Sequence, residues 1–158
     1  MTIGSLSRFV LACSLFTSFT ASAVPGLWQQ GYGQGNTEYN VTDASGKMFT
    51  INCTGNPDQN GFYQHSVFLT QTDNRMVSSH DDGTTITVVM NHQQYVIPSS
   101  LGWRNGDNAW FDFIMDIRKT GQFDVYVNDR KAGVFTVCLL YTSPSPRDYA
   151  ASRMPSSA

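Results

Sequence analysis

The sequence predicts an α+β fold, mostly antiparallel β (a small sandwich or meander sheet), with one helix around residues 108–119. Three observations predict this fold. Gly, Asn, Asp and Thr are frequent and Glu38 is the single glutamate, a composition that favours strands and turns over helices. Apolar side chains alternate in several short runs that are bounded by turn residues. One later segment changes to the spacing of a helical face.

The first predicted hairpin spans Thr37–Thr54, where two alternating runs flank the turn "DASGK". In its second strand Phe49, Ile51 and Cys53 share one face, so Cys53 is expected to point at the core. The preceding run "GYGQGN" predicts a bulged or edge strand, because glycine lets the backbone bend. The run leads into a strand, whereas a phosphate-binding loop would have to open a helix. Two aromatic residues are expected to pack there, Trp28 and Tyr32.

Further alternating segments extend the β part of the domain. A loop at "NPDQNG" leads to a strand at "SVFLTQT", and "DNRMVSSHDDG" is expected to be a turn-rich connection. The segment "TTITVVMNHQQYVIP" predicts a second hairpin that turns at Asn91–Gln93. In the last hairpin, "QFDVYVNDRKAGVFTV", one face is expected to carry Phe123, Val125 and Val127, and Val134 to line the return strand.

The segment "DNAWFDFIMDIRKTG" predicts the helix. Asp107 or Asn108 is expected to cap its N-terminus, and Gly121 to end it in the left-handed conformation. Arg118 and Lys119 complement the negative C-terminal end of the helix dipole. Four apolar residues follow the i, i+3, i+4, i+7 spacing of one buried face: Trp110, Phe113, Ile114 and Ile117.

Residues 1–23 have the features of a secretory signal peptide. Arg8 provides a positive start, Phe9–Phe19 is apolar, and the small residues "ASA" precede the expected cleavage between Ala23 and Val24. A lipoprotein-type cleavage before Cys13 fits less well, because its apolar run is short. We therefore expect a periplasmic or secreted protein that has no membrane span after signal cleavage.

We expect the segment 138–158 to have a different origin from the domain. Back-translated, "CLLYTSPSPRD" and the later "ASRMPSSA" resemble two constant parts of a transposase-type sequencing adapter, in frame on both sides of a variable index. We interpret 138–158 as a non-native, adapter-derived tail and exclude it from fold reasoning. The expected domain is 24–137, a single β-rich unit that is truncated at its C-terminus.

Residues 24–137 carry seven Lys and Arg against eleven Asp and Glu, a formal net charge of −4. No basic run is visible in the sequence, which argues against nucleic acid as a main partner. Cys53 is the single cysteine of this region. An odd cysteine in an exported protein indicates a free buried thiol, an intermolecular bridge, or a disulfide partner in the missing C-terminus, and we favour the last. No neighbouring base would activate Cys53 as a nucleophile.

No motif predicts catalytic, cofactor-binding or metal-binding residues. His65, His80 and His92 form no metal-binding pair, and Asp81–Asp82 lacks the spacing of a calcium loop. No G-x-S-x-G motif is present, and "KTG" is explained by the end of the helix. We therefore expect a protein that is not an enzyme. A small hydrolase using Asp and His remains an alternative, which a cluster of His80, Asp81–Asp82 and His92 would favour.

Trp103 and Arg104 are the candidate partner-binding residues. They lie in the Gly/Asn-rich stretch "SLGWRNGDNAW" before the helix, and Trp and Arg are frequent anchors of interfaces. The competing interpretation places Trp103 over the edge of the core. A rigid loop that presents one side chain would favour an inhibitor- or immunity-type protein.

The segments "WQQGYGQGNTEYNVTD…INC" and "NAWFDFIMDIRKTGQFDVYV" resemble a set of small, uncharacterised, exported bacterial proteins with signal peptides. The resemblance implies a second cysteine near the C-terminus and brings no activity with it. We therefore expect a non-enzymatic binding or accessory module whose partner is a protein or an envelope component. The alternatives are an inhibitor or immunity protein that acts on an exported enzyme, and the small hydrolase.

Overall fold

The computed structural model describes residues 24–138, so the expected signal peptide and residues 139–158 lie outside the described residues. Ten elements are observed in these residues, in two antiparallel sheets and one helix. The five-stranded sheet has the order β1-β2-β3-β4-β5, with β1 Gln29–Gly33, β2 Asn36–Thr42, β3 Met48–Thr54, β4 Ser66–Thr70 and β5 Met76–Ser78. The four-stranded sheet has the order β7-β6-β8-β9, with β6 Ile86–Met90, β7 Gln93–Val96, β8 Gln122–Val127 and β9 Arg130–Thr136. Helix α1, Arg104–Ile117, connects β7 to β8. The predicted fold class is confirmed.

The β2–β3 hairpin is stabilised by its turn and by its buried face. Asp43 Oδ1 accepts hydrogen bonds from the backbone N–H groups of Ser45 and Lys47, which fixes the turn. Tyr39 lies opposite Ile51 in the register, and both side chains are buried. This arrangement confirms the predicted hairpin.

The two later hairpins turn on adjacent residues with positive φ. Asn91 and His92 connect β6 to β7, and Asn128 and Asp129 connect β8 to β9. Two consecutive residues of this kind match the twist of the flanking strands, so the turn composition supports both predicted hairpins. The side chain of Asn128 also accepts a hydrogen bond from the Thr85 N–H at 2.8 Å.

The sheets pack face to face on aromatic side chains. The Phe49 ring of β3 lies 5.1 Å from the Phe123 ring and 5.7 Å from the Phe135 ring, both in the other sheet. Trp28 stacks on Phe123 at 6.2 Å. The buried face of α1 joins the same core with the four residues predicted for it: Trp110, Phe113, Ile114 and Ile117. No helix among residues 24–138 is long and apolar enough to cross a membrane.

Helix α1 begins four residues before the predicted position. Its N-cap is Trp103, which makes no side-chain capping bond, so Asp107 and Asn108 lie inside the helix. The Asp107 carboxylate instead accepts the Gly102 N–H at 2.9 Å, one turn before it. The C-cap is Arg118 in the right-handed conformation, and Gly121 does not have positive φ. The expected left-handed ending at Gly121 is therefore wrong.

Three smaller expectations need correction. The segment predicted as a turn-rich connection contains β5, whose three residues are too few to show alternation. Tyr32 is 79% exposed, although Trp28 packs as expected. Val134 faces solvent, and Phe135 occupies the core instead. The β8–β9 register shifts between Val125 and Tyr126, so that Ala132 has no partner residue on β8. This β-bulge determines which side chains of β9 face the core.

Candidate functional site

Two large aromatic side chains are exposed where the loop 55–65 meets the start of α1. Trp103 is 51% exposed and Phe62 is 42% exposed. Arg104 is also exposed and follows Trp103 directly. We call Phe62, Trp103 and Arg104 the aromatic platform. Aromatic and arginine side chains in such a position are typical of protein interfaces.

Trp103 is held in one orientation by the first turn of the helix. Its indole Nε1–H donates a hydrogen bond to the Ser100 carbonyl at 3.0 Å. The indole lies over Gly106, where an added Cβ would come within 2.6 Å of Nε1 and 2.9 Å of Cε2. A side chain at position 106 would therefore collide with the ring. Gly106 provides the seat on which Trp103 rests.

Phe62 is seated on a second glycine. Gly102 has φ +93°, a conformation that L-residues with side chains rarely adopt. A Cβ at Gly102 would lie 2.4 Å from the Phe62 ring, so the ring occupies the space that a side chain would need. Gly102 and Gly106 thus seat the two exposed rings of the platform on one short stretch of backbone.

The loop that carries Phe62 is ordered by one carboxylate. Asp58 Oδ1 accepts the N–H groups of Phe62 at 3.0 Å and Asn60 at 2.9 Å, and Oδ2 accepts the Gln64 amide at 2.8 Å. The Phe62 hydrogen bond is the main cause that lowers the pKa of the Asp58 carboxyl below its usual value. Asp58 therefore fixes the backbone from which Phe62 projects.

A stack of rings connects this loop to the core. Tyr63 stacks on His65 at 5.7 Å, and His65 stacks on Trp110 of α1 at 5.4 Å. His65 is buried, and its Nδ1 accepts the Thr54 N–H at 3.0 Å. These contacts give His65 a structural position between the loop and the helix.

The fold does not bring the residues proposed for a hydrolytic site close together. Asp81 accepts the Ser78 N–H at 2.8 Å, and His80 Nε2 lies 3.1 Å from the His65 carbonyl. His92 occupies the β6–β7 turn, at the opposite end of β6 from the segment 80–85. Five strand residues separate these ends by about 17 Å. Over residues 24–138, no group of three His, Cys, Asp or Glu residues could hold a metal ion.

Cys53 points into the core as predicted, with 6% of its surface exposed. Within residues 24–138, Cys53 and Cys138 are not bonded to each other. Cys138 is exposed, and its N–H donates to the Gly26 carbonyl at 2.8 Å. A disulfide between Cys53 and a cysteine in a longer C-terminus stays a prediction.

Trp103 and Arg104, the predicted binding residues, lie next to each other on the surface, and Val24 at the expected cleavage site is also exposed. Ala23 lies outside the described residues. Sequence reasoning missed Phe62, because it treated residues 55–65 only as a loop. The available signal was an aromatic pair, Phe62–Tyr63, directly after the turn residues Asn60–Gly61.

Comparison with known proteins identifies relatives of the chain. The YfjT family matches residues 26–138. The chain is 81% identical over 136 residues to the uncharacterized protein YkfB of Escherichia coli strain K12, covering 86% of this chain and 88% of YkfB. It is 79% identical over 135 residues to the uncharacterized protein YfjT of the same strain, covering 85% and 87%. No solved structure matches the chain.

Proposed function

The chain belongs to the YfjT family, and from that premise we propose that it is an exported, non-enzymatic binding module whose partner is a protein or an envelope component. The observation that carries the proposal is the aromatic platform. Trp103 and Phe62 expose large apolar rings while their backbones are fixed by Gly102, Gly106 and the Asp58 carboxylate. A rigid exposed ring loses little conformational entropy on binding, which favours its use as an anchor.

The surroundings of the platform support binding rather than catalysis. Three titratable side chains of the same loop and helix have structural positions: Asp58 orders its own loop, Asp107 accepts the Gly102 N–H, and His65 lies buried in the ring stack. General acid–base chemistry requires such a group to be accessible to a substrate. The hydrolase alternative draws less support, because His80 and His92 lie at opposite ends of β6.

The rigid seat of Trp103 also favours the inhibitor- or immunity-type alternative. An inhibitor of this kind inserts one held side chain into the active site of its target, and Trp103 has the required fixed orientation. This alternative names a narrower class of partner for the same surface. It predicts that the bound partner is an exported enzyme whose activity falls when the complex forms.

Site-specific photo-crosslinking tests the binding proposal. A photoreactive phenylalanine analogue at position 103 should capture one discrete partner in intact cells, and the same analogue at Val96 should not. Val96 is a matched control because it is exposed to a similar extent, at 55%, on β7. The substitution Phe62→Ala should reduce capture from position 103 severalfold. Equal capture from positions 96 and 103 would refute the platform as the binding surface.

Export is tested independently of binding. Fractionation of cells that express the whole chain should place it in the periplasm or the medium, with a mature N-terminus at Val24 by mass spectrometry. Retention in the cytoplasm with residues 1–23 intact would overturn the exported part of the proposal. Activity assays on a captured enzyme, with and without the purified chain, then separate the inhibitor from the general binding module.

A further inference from the structure

The cations of this acidic chain are concentrated in one groove. A groove of about 970 Å³ lies between the β4–β5 turn and the β8–β9 hairpin. Of the seven Lys and Arg residues in 24–138, four line it, and together they define the basic groove: Lys47, Arg75, Arg130 and Lys131. The sequence shows no basic run because these residues come from three separate segments. The fold thus brings together cations that the sequence keeps apart.

Within residues 24–138, two of the four cations form ion pairs with carboxylates and the other two do not. Arg75 pairs with Asp73 at 2.6 Å, and Lys131 pairs with Asp124 at 2.7 Å, both near the surface. The Lys47 ammonium donates to the Ala132 carbonyl, and Arg130 is exposed at the hairpin turn. The groove therefore keeps an excess of positive charge on a chain whose net charge is negative, which favours an anionic ligand.

Apolar side chains lie between the cations. Met76 is 61% exposed, and Val77, Val127 and Ala132 are half-buried along the same groove. A ligand that complements this lining needs apolar groups as well as negative charges. Methionine adapts to varied apolar shapes, so Met76 is suited to contact such groups.

A side chain occupies one backbone donor at the end of the edge strand β5. The Asp81 carboxylate accepts the Ser78 N–H of β5 at 2.8 Å, which occupies a backbone donor that a further strand would use. Ser78 lies outside the groove, which is lined on this strand by Met76 and Val77. This contact also explains the role of Asp81 in the segment "HDDG".

We propose that the basic groove binds an extended peptide segment of a protein partner in which acidic and apolar residues alternate. The groove is separate from the aromatic platform, because Lys47 precedes β3 and the loop 55–65 follows it. The seven residues of β3 separate the two surfaces by about 20 Å. The inference is independent of the proposed function of the platform.

The lining favours a peptide over other anions. Among residues 24–138, no aromatic ring lines the groove, whereas proteins that bind single-stranded nucleic acid stack bases on aromatic side chains. Proteins bind lipid surfaces through projecting apolar and basic side chains. Of the apolar side chains that line this groove, Val77, Val127 and Ala132 are half-buried and only Met76 projects, which offers little to insert into a lipid surface.

Fluorescence anisotropy with a defined probe tests the proposal. A fluorescein-labelled decapeptide of alternating Asp and Val should bind the purified chain more tightly at 25 mM than at 150 mM NaCl. Arg130→Gln should weaken binding about three- to fivefold, and the Arg130→Gln/Lys131→Gln double variant about tenfold or more. Both residues are exposed on a hairpin, and circular dichroism verifies that the variants fold. Lys119→Gln, which removes an exposed cation outside the groove, should leave the affinity unchanged.

The other outcomes are equally specific. Equal affinities of the Arg130→Gln/Lys131→Gln variant and the unsubstituted chain would overturn the proposal, as would equal binding of a peptide with Asn in place of Asp. Tighter binding of a 20-nucleotide single strand or of phosphatidylglycerol vesicles, lost in the same double variant, would overturn the class of partner. Trp103→Ala should keep peptide binding, and the double variant should keep crosslinking from position 103, so the two surfaces can fail separately.

Discussion

Replacement of Gly106 by alanine tests whether the helix start is built around Trp103. Gly106 lies in the first turn of α1, where alanine normally stabilises a helix by about 1 kcal/mol relative to glycine. The added Cβ would lie 2.6 Å from Trp103 Nε1 and 2.9 Å from the Ser100 carbonyl oxygen. The first contact is relieved if the indole moves, and the second requires the backbone to shift.

Two costs oppose the gain in helix propensity. Displacement of the indole breaks its hydrogen bond to Ser100, worth about 0.5–1.5 kcal/mol. The backbone contact adds about 1–3 kcal/mol of overpacking strain. We therefore expect Gly106→Ala to lower the free energy of unfolding by about 1–2 kcal/mol and Tm by roughly 5 °C. The matched control, Asn105→Ala at the exposed neighbouring position, should raise stability by about 0.5 kcal/mol.

Tryptophan fluorescence gives the second measurement on the same variants. The chain has three tryptophans, and Trp103 is exposed whereas Trp28 and Trp110 are buried. Iodide quenching, corrected with Trp103→Phe, should rise in Gly106→Ala as the indole moves into solvent. A higher Tm for Gly106→Ala, with quenching unchanged, would refute the reasoning.

Three further substitutions have defined outcomes. Phe49→Ala removes the ring between the sheets and should cost about 3–5 kcal/mol in urea unfolding; a loss below 1 kcal/mol would contradict the sandwich core. Burial, with the nearby Asp116 carboxylate, raises the pKa of Tyr95 to about 12. Because this folded pKa exceeds the unfolded value near 10, the Tyr95 contribution is complete below pH 10 and is lost between about pH 10 and 12. Tyr95→Phe should therefore unfold with a weaker pH dependence in that window, and equal slopes would count against the contact. Asp58→Ala should speed amide exchange at Phe62 severalfold at pH 7, where the unsubstituted carboxylate is charged. Unchanged exchange would show that Asp58 does not order the loop.

Most of the β structure was predictable because local signals and tertiary packing agree. The hairpins of β2–β3, β6–β7 and β8–β9 combine alternating side chains with turn residues suited to their backbones. The element that was missed, β5, has only three residues and depends on pairing with β4. Its partner strand lies only five residues earlier in the chain, but three residues are too few to show an alternating pattern.

The errors in side-chain facing have a similar cause. Strict alternation from Phe123 through the turn placed Val134 inside, but the bulge at Ala132 adds one residue to the return strand. The Lys47 ammonium, in the β2–β3 turn of the other sheet, donates a hydrogen bond to the carbonyl of the bulged residue Ala132. A contact across 85 residues of sequence thus marks the position at which the alternation changes.

The two candidate surfaces also differ in how much of each could be predicted from the sequence. Trp103 and Arg104 were predictable because they are neighbours in a loop composition that is typical of interfaces. Phe62 joins them only because Gly102 and Gly106 leave room for two rings, and the sequence presents these glycines simply as loop and helix-start residues. The four cations of the basic groove come from three segments and meet only when the sheets pack. Local composition could therefore locate one anchor, whereas the surfaces around it are products of the tertiary fold. The Gly106 substitution therefore tests how the fold orients Trp103. The Arg130 substitution tests a side chain that is proposed to contact the ligand directly.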